Sequence, residues 1–451
     1  MANMTQAAAD GELDLSTLAL PQAARMPAFS LTMAWWAVCS AVFYIVVGAT
    51  LALDYGARNA LIGMVLSVVS YGLVNAAISR YAIRTGLSVA LFSRVLFGSA
   101  GAALATLIFF ATAIYYAVFE GSVIAVAAHG LMPALDYKWA ALIVVCYSVP
   151  LVFGSVQHWL DKFNGVLLPF YLLGLLAAVA LATHRYGYHA AWLDFGPKGG
   201  APAHGWWHCF VYYMGVWVLM MFTFDYARFG READAGYHGR WNFGMPFYFV
   251  TFVVNGAAGI YLVSTIPGLG ALSEVSVVTA LLKLMGVWGL LFVWVTQSRI
   301  NTANYYLATV NMQAFFQKAA GLRAPKYVWA LVVGAVVYAL MMADIFSKLL
   351  QALAWQGVFI VAWVGVALAH ILSTRYEELL GSGIECRDTH VPAFNPGGLS
   401  AWFAGVFAGM MLTTATGFAQ SLSAPVTFVV SWAVYRGMLA SAKRTWFVRE
   451  R

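Results

Sequence analysis

Charge is scarce in this chain of 451 residues: Asp, Glu, Lys and Arg make up 10% of it, whereas hydrophobic residues make up 62%. In ordinary soluble domains about a quarter of the residues are charged, so the composition excludes that class of protein. The mean hydropathy of +0.77 supports the same conclusion. Uncharged segments close to the ~20 residues that cross a bilayer recur along the whole chain. The sequence therefore predicts an all-α, multi-pass membrane protein embedded in a lipid bilayer.

Cysteine is also rare, and its placement excludes two further classes. Cys39, Cys146, Cys209 and Cys386 are scattered without paired spacing, which supports neither a disulfide framework nor a zinc site. The histidines show no metal-ligand spacing, and neither a glycine-rich phosphate loop nor a nucleophile–base pair is recognisable. We therefore expect no metal site, no cofactor and no enzymatic activity.

Twelve segments are predicted as membrane spans. The third and the eighth are unusually long, and each contains a charged residue. In chain order the segments are residues 30–51, 60–79, 97–128, 139–158, 163–183, 206–224, 243–266, 284–316, 327–343, 349–372, 400–418 and 425–441.

The distribution of positive charge predicts how these spans are oriented. Most of the 25 Lys and Arg residues fall in the loops that share a side with the two termini. Cytoplasmic loops carry such an excess, so we expect both termini in the cytoplasm and the spans in a bacterial-type inner (plasma) membrane. The net charge of +7 then reflects topology, and nucleic acid is not an expected partner.

The loops are short, which leaves no room for a second soluble domain. Residues 1–27 have acids but no basic region followed by an apolar core, so they are predicted to be a flexible cytoplasmic tail and not a signal peptide. Residues 28–373 would form a core of ten spans. Residues 374–398 contain helix-breaking Pro and Gly and would form a cytoplasmic loop. Residues 399–441 would form a two-helix appendage, and residues 442–451 a second tail.

Glu120 is the most informative single residue, because it interrupts an uncharged stretch that runs from Val95 to Leu135. A carboxylate at membrane depth costs a few kcal/mol, so it usually faces a cavity or an ionic partner. Tyr116 lies four residues earlier and therefore on the same helical face. The pair is consistent with a solute pathway. The alternatives are an ion pair with Arg299 that holds the third span to the eighth, or a position at a lipid edge or in a loop.

A polar stripe runs along the eighth predicted span. Gln297, Asn301 and Asn304 lie at positions i, i+4 and i+7 of an otherwise apolar helix. Amides in a membrane must hydrogen-bond to a neighbouring helix or to a ligand, and the sequence leaves both roles open. Arg299 lies about 200° around the helix from Gln297, so the two side chains cannot face one cavity squarely.

Two spans contain residues at which a membrane helix can break. The first has Ala37, Cys39, Ser40 and Ala41 between bulky neighbours, and the sixth has Gly215 among aromatic residues. Small residues in membrane helices mark either close packing or unwinding. With unwinding, the ten-span core can be two five-helix halves of opposite orientation, an arrangement in which substrates bind at the broken helices.

Four stretches of sequence carry a family resemblance. They are TGLSVALFSRVLFGSAG at 85–101, FDYARFGRE at 224–232, QSRINTANYYLATVN at 297–311 and GIECRDTHVPAFNP at 383–396. In this order and spacing they resemble the nucleobase:cation symporter-1 family, the purine-cytosine permease group that also contains hydantoin, allantoin and uracil carriers. The resemblance implies an inverted-repeat transport core of ten helices with two extra C-terminal helices. It also implies alternating access, in which spans one, two, six and seven rock as a bundle against the rest.

The same resemblance implies roles for individual residues. Tyr116 would stack on the substrate ring, and Glu120 would accept hydrogen bonds from ring or exocyclic N–H groups. Asn301 aligns with a substrate-binding Asn of the family, and a slip of one turn would nominate Gln297 or Asn304 instead.

In the sixth span, the second stacking aromatic of the family aligns with Val216. Trp217 is adjacent, so it either turns inward to stack on the substrate or faces lipid. Asp225 and Arg228 are expected to act as a scaffold and gate pair at the cytoplasmic end of this span.

Arg299 departs from the family pattern, because sodium-coupled members place Ser or Thr hydroxyls at about this position. A guanidinium is always charged and would occupy the place of the cation permanently. The sequence therefore favours proton coupling, with Glu120 and Arg299 as the residues involved, over sodium coupling. Facilitated diffusion without coupling stays open.

The resulting expectation is a secondary active carrier that imports a planar nitrogen heterocycle, a purine or pyrimidine nucleobase or a close relative, together with a coupling cation. Within the same fold, a thiamine precursor, a hydantoin or allantoin, an amino-acid-like compound or another organic cation are alternative substrates. A channel and a membrane enzyme are the alternatives from other functional classes.

Overall fold

The computed structural model describes residues 19–153, 155–381 and 383–449, with side chains from 167 onwards in the helix that begins at 155. Most of the tail predicted at 1–27 lies outside these ranges. Within them, every regular element is helical. One isolated bridge joins Met26 to Gly230.

We number the seventeen main helices of the described ranges in chain order. They are α1 Ala28–Trp36, α2 Val42–Tyr55, α3 Ala57–Thr85, α4 Val89–Phe97, α5 Ala103–Leu131, α6 Tyr137–Ser148, α7 Ser155–Tyr186, α8 Gly205–Met214, α9 Val218–Ala227, α10 Asn255–Thr265, α11 Ser276–Met285, α12 Val287–Ala320, α13 Lys326–Met342, α14 Leu349–Ile371, α15 Arg375–Leu380, α16 Pro396–Thr413 and α17 Ser423–Ala440. Between α9 and α10 the chain forms short helical segments, including the π-helical turns His238–Asn242 and Phe249–Val254.

Helices lie in all twelve predicted spans, but not all of these helices are long and apolar enough to cross a membrane. Among the described residues, six helical runs are long and apolar enough to cross a membrane, or up to eight if two bent pairs each count as one span. The count of twelve is therefore not confirmed. The helix α6 is short because Pro150 follows it closely, and α12 is less apolar because it carries the amide stripe and Arg299.

Both suspected breaks are present. The helices α1 and α2 meet at a bend of 43°, and α8 and α9 meet at a bend of 42°. Residues Ala37–Ser40 form one 3-10 turn, and Ala41 after them is extended. At the second break, a side chain on Gly215 would overlap the carbonyl oxygen of Leu353 on α14. The unwinding interpretation is thus confirmed, and at Gly215 close packing accompanies it.

The two C-terminal helices pack against α14. A side chain on Gly365 of α14 would overlap the hydroxyl of Ser431 on α17. The indole Nε1 of Trp402 on α16 donates to the carbonyl of Phe359 (3.1 Å). These contacts place the appendage along one side of the tenth span.

Residues just before α1 are attached to the ends of the second and sixth spans. The buried guanidinium of Arg25 donates to the carbonyls of Ile83 (2.5 Å) and Gly230 (2.6 Å). The backbone N–H of Met26 donates to the carbonyl of Phe229 (2.7 Å). This segment therefore belongs with spans one, two and six, which the family resemblance assigns to the moving bundle.

Three of the four family-like stretches meet around the short helix α4. Asp225 Oδ1 accepts the backbone N–H of Val89 at the start of α4 (2.9 Å). At the other end, the carbonyl of Phe97 accepts the backbone N–H of Asn395 (2.8 Å). These stretches hold the connection between α3 and α5 in place, which is a structural role.

Ion pairs stabilise the loop before α16. The Nε of Arg387 donates to Glu385 Oε1 (2.9 Å), and this contact lowers the pKa of Glu385 to about 2. Asp388 in the same loop accepts from Lys318 Nζ at the end of α12 (3.2 Å). The loop thereby joins the end of α12 to the region around α4.

We predict that Gly48→Ala destabilises the protein by about 1–3 kcal/mol, because a Cβ at this position would overlap the Cα of Gly256 and force α2 away from α10. Thermal unfolding of the purified protein measures this effect. Gly437→Ala on α17 is the matched control, since no atom lies within 4 Å of its would-be Cβ. Equal stability of the two variants would contradict close packing at Gly48.

Candidate functional site

A cavity of about 120 Å³ lies at the level of the break in the first span. Parts of the first span, α5, α9 and α12 form its walls. The lining residues are Val38, Ala41, Phe43, Tyr44, Tyr116, Glu120, Val218, Leu219, Phe222, Tyr226, Arg299, Ile300, Ala303, Asn304 and Leu307.

Tyr116 and Glu120 lie on the same wall of this cavity, where their spacing on α5 predicts them. Only 1% of Glu120 and 8% of Tyr116 is exposed, so neither faces lipid. The ring of Phe43 meets the ring of Tyr116 nearly at right angles, with centroids 5.1 Å apart. Acid and aromatic rings thus come together at membrane depth.

Gln297 lies behind Glu120 and does not line the cavity. Its amide nitrogen donates to Glu120 Oε2, and its amide oxygen accepts the backbone N–H of Val42 (3.0 Å). The amide takes this orientation because the opposite one would bring acceptor against acceptor and donor against donor. Gln297 therefore connects Glu120 to the first residue of α2.

Arg299 lines the cavity and also binds the break in the first span. Its Nη1 donates to the carbonyl of Ala37 (2.9 Å) and to Ser40 Oγ (3.1 Å). The Ser40 hydroxyl donates in turn to the carbonyl of Ala37 (2.7 Å). These contacts join Arg299 on α12 to the first span.

A second buried amide supports the same break from the seventh span. Asn255 Nδ2 donates to the carbonyl of Cys39 (2.8 Å), and Asn255 Oδ1 accepts from the hydroxyl of Tyr171 (3.0 Å). Together with Arg299 and Gln297, Asn255 gives side-chain partners from other spans to three backbone groups at the break, the carbonyls of Ala37 and Cys39 and the N–H of Val42.

The remaining amides of α12 differ in position. Asn304 lines the cavity, and its Nδ2 is buried without a hydrogen-bond partner in the described ranges. Asn301 is fully buried, and neither of its amide atoms has such a partner in the part of the chain that the structure describes. Asn301 is not part of the cavity wall, and its predicted contact with a substrate stays a prediction.

Trp217 occupies neither of the two positions that the sequence left open. It is 3% exposed, which excludes a lipid-facing position. Its ring packs edge-on against Tyr71 of α3 (6.2 Å) and Phe428 of α17 (5.5 Å). The break turns Trp217 away from the cavity and presents Val218 and Leu219 instead.

Asp225 and Arg228 lie at the end of the sixth span, beyond the cavity. Asp225 holds the start of α4 through its contact with Val89. The guanidinium carbon of Arg228 lies 5.0 Å from the centroid of the Phe229 ring. Their positions match the predicted scaffold at this end, and a gating role stays a prediction.

The sequence did not single out Gln356 or the cavity's aromatic residues other than Tyr116. Gln356 Nε2 donates to the carbonyl of Gly215 (3.0 Å) at the second break and to the Tyr116 hydroxyl (3.4 Å). An amide in the apolar helix α14 is the same signal that marked Gln297. Phe43 and Phe222 gave no signal, because aromatic residues are abundant throughout the chain.

The cavity wall is partly exposed. Ala303 on this wall is exposed, and Tyr226 is half-buried. The buried rings of Phe43, Phe119 and Phe346 pack in succession beside the cavity, with 5.0 Å between successive centroids.

Comparison with known proteins identifies the fold. No family model matches the sequence, and no curated protein matches it. Among solved structures, an inward-facing conformation of Mhp1 is similar, with a TM-score of 0.74 and 13% identity over 94% of this chain and 93% of that chain. Mhp1 is a nucleobase-cation-symport-1 family transporter, and its closed conformation with bromovinylhydantoin bound gives a TM-score of 0.71 at 14% identity, over 94% and 95%. The chain has the fold of a nucleobase-cation-symport-1 transporter.

A more distant transporter has the same type of fold. A Na⁺-coupled sialic acid symporter in a substrate-bound outward-open state gives a TM-score of 0.60 at 10% identity, over 100% of this chain and 97% of that chain. At such identities the likeness establishes the fold alone. It confirms the predicted class, an all-α, multi-pass membrane protein of the inverted-repeat transporter type, and both of these similar proteins are transporters, not enzymes.

We predict that Arg299→Met lowers the free energy of unfolding by about 1–3 kcal/mol, because two acceptors at the break each lose a hydrogen bond from the guanidinium. The carbonyl of Ala37 and the hydroxyl of Ser40 are these acceptors. Thermal unfolding in detergent measures the loss. Arg436→Met is the control, because Arg436 is exposed, donates to the carbonyl of Leu372 (3.3 Å) and lies over the ring of Trp432. Unchanged stability of Arg299→Met would mean that the guanidinium does not hold the break.

Proposed function

We propose that this protein is a secondary active transporter that imports a planar nitrogen heterocycle, a nucleobase or a close relative, by alternating access. The observation that carries the proposal is the cavity beside the break, where Glu120 and Tyr116 share a wall within a transporter fold. A buried acid in a membrane protein marks a solute or proton pathway, and substrates of such folds bind at broken helices near the midplane.

The size and lining of the cavity support a small, flat solute. Its volume of about 120 Å³ is roughly ten times the space that one water needs, which suits a ring system with a comparable number of non-hydrogen atoms. Tyr116 and the other aromatic rings supply faces for stacking. Glu120 accepts N–H groups, and the amide nitrogen of Asn304 donates to a ring nitrogen or carbonyl oxygen. In this assignment Gln297 and Asn301 do not contact the substrate directly, and Trp217 supports the sixth span.

The contacts of Arg299 support proton coupling over sodium coupling. Its guanidinium already binds the carbonyl and hydroxyl oxygens at the break, which are the kind of ligands that a sodium ion would need. A fixed cation beside those oxygens repels a second one. Glu120 is then the group that takes up and releases the proton, and the bilayer in question is a bacterial-type inner membrane with both termini in the cytoplasm.

A cationic heterocycle such as a thiamine precursor is the second candidate. Glu120 in a cavity of aromatic rings favours a cation through charge and through the faces of the rings. Arg299 on the same cavity wall counts against it, because it raises the energy of a further positive charge.

We predict that proteoliposomes show counterflow of a labelled purine, pyrimidine or hydantoin. Glu120→Gln should lower the exchange rate by roughly tenfold, because the substrate loses a charge-assisted hydrogen bond. The exchange rate should also lose its pH response, because the amide of Gln takes up no proton. Glu377→Gln is the matched control, since Glu377 is exposed and pairs with Arg84 (3.3 Å). Absence of counterflow with every heterocycle would refute the proposed substrate class, and an unchanged pH response in Glu120→Gln would make Glu120 structural.

We also predict that uptake follows a proton gradient and is unaffected when sodium is replaced by a large organic cation on both sides of the membrane. The physical reason is that Arg299 satisfies the oxygens at the break without a metal ion. Initial uptake rates with and without sodium, at a fixed pH gradient, measure this. Uptake that requires sodium would contradict the role given to Arg299.

A further inference from the structure

Gln297 connects Glu120 to the broken first span through hydrogen bonds. Its amide touches Glu120 on one side and the backbone N–H of Val42 on the other, and the whole side chain is buried. It reaches neither the cavity nor solvent. Its remaining partner is the hydroxyl of Thr296 on α12 (3.2 Å), so its contacts with other helices are those with Glu120 and with α2.

Val42 is the first residue of α2, and the first N–H groups of a helix lack partners within that helix. The amide oxygen of Gln297 supplies the partner here (3.0 Å). An unsatisfied N–H at membrane depth is costly, so this contact fixes where α2 begins. Movement of α2 relative to α12 must break or replace it.

The three groups belong to parts of the fold that move separately in alternating access. Val42 lies in the first span, which the family resemblance assigns to the moving bundle. Glu120 on α5 and Gln297 on α12 lie in the part against which the bundle moves. The amide therefore joins the two parts at the break itself.

We propose that Gln297 is a positioning residue that couples the loading of Glu120 to the position of α2. This proposal rests on the proposed function. While Glu120 is ionised, it accepts a charge-assisted hydrogen bond from the Gln297 amide nitrogen and holds the amide oxygen toward Val42. When Glu120 takes up a proton or pairs with a substrate N–H, this bond weakens. The amide then holds Val42 less firmly, and α2 is released to move with the bundle.

The other described ionisable groups around Glu120 keep their charge state near neutral pH. Tyr44 on α2, Tyr115 and Tyr116 on α5 and Tyr171 on α7 lie close enough to interact with its charge. Buried phenols are uncharged in this range, and Arg299 on the shared cavity wall stays positive throughout.

The test measures accessibility of the cavity without any substrate. Ala303→Cys places a thiol on the exposed part of the wall, in a background where the exposed Cys146 is replaced by Ser. Alkylation by N-ethylmaleimide is followed from mildly acidic to mildly basic pH. Each rate is divided by that of the same thiol in Glu120→Gln at the same pH, which cancels ionisation of the thiol itself.

With Glu120 intact, the normalised rate should fall by about threefold to tenfold as pH decreases, as expected for losing the charge assistance of one hydrogen bond. Gln297→Met keeps the side-chain volume and removes the hydrogen bonds to Glu120 and Val42, so its normalised rate should stay flat. Asn311→Leu removes another amide of α12, one that donates to its own helix at Leu307 (2.9 Å), and it should behave like the parent.

A pH response that survives in Gln297→Met would overturn the proposal, because Glu120 would then act without the amide. A flat response in the parent would also overturn it. Failure of the proposed function would look different: no heterocycle would change the alkylation rate in any variant, whatever the pH response.

Discussion

The structure depends on how the backbone polar groups at the break in the first span find partners away from water. The carbonyls of Ala37 and Cys39 and the N–H of Val42 are buried, and each is bonded by a side chain from another span. In a bilayer an unpaired peptide group costs several kcal/mol, so a broken helix persists only where such side chains are supplied. Arg299, Asn255 and Gln297 supply them here, and their positions determine which helices must surround the break.

The same side chains determine the character of the cavity. Arg299 reaches the break from α12 and leaves a permanent positive charge on the wall that also carries Glu120. Gln297 donates to Glu120 and accepts from the N–H of Val42, so the acid on the cavity wall and the start of α2 belong to one hydrogen-bonded group. Binding chemistry and the geometry of the break are therefore linked through direct contacts, and a change at either one alters the other.

Several features could be predicted because they depend on local spacing. Tyr116 and Glu120 share a face of α5 because residues four apart do so in any α-helix. Arg299 and Gln297 point to different surroundings for the corresponding reason. Trp217 could not be placed in this way, because the bend of 42° before α9 interrupts the helical periodicity and turns its ring toward Phe428. Asn301 was chosen by alignment, but Asn304, one turn further along, lines the cavity.

By itself the sequence determined the all-α membrane class, the small residues at both breaks and the presence of a buried acid, because composition and helical spacing are local properties. The tertiary structure alone decided which groups meet. That Arg299 binds the first span, that Gln356 joins Tyr116 to the second break and that the stretches at 85–101, 224–232 and 383–396 meet around α4 all depend on helices distant in the chain. Contacts of this kind arise from the packing of spans against one another, and no spacing along a single helix encodes them.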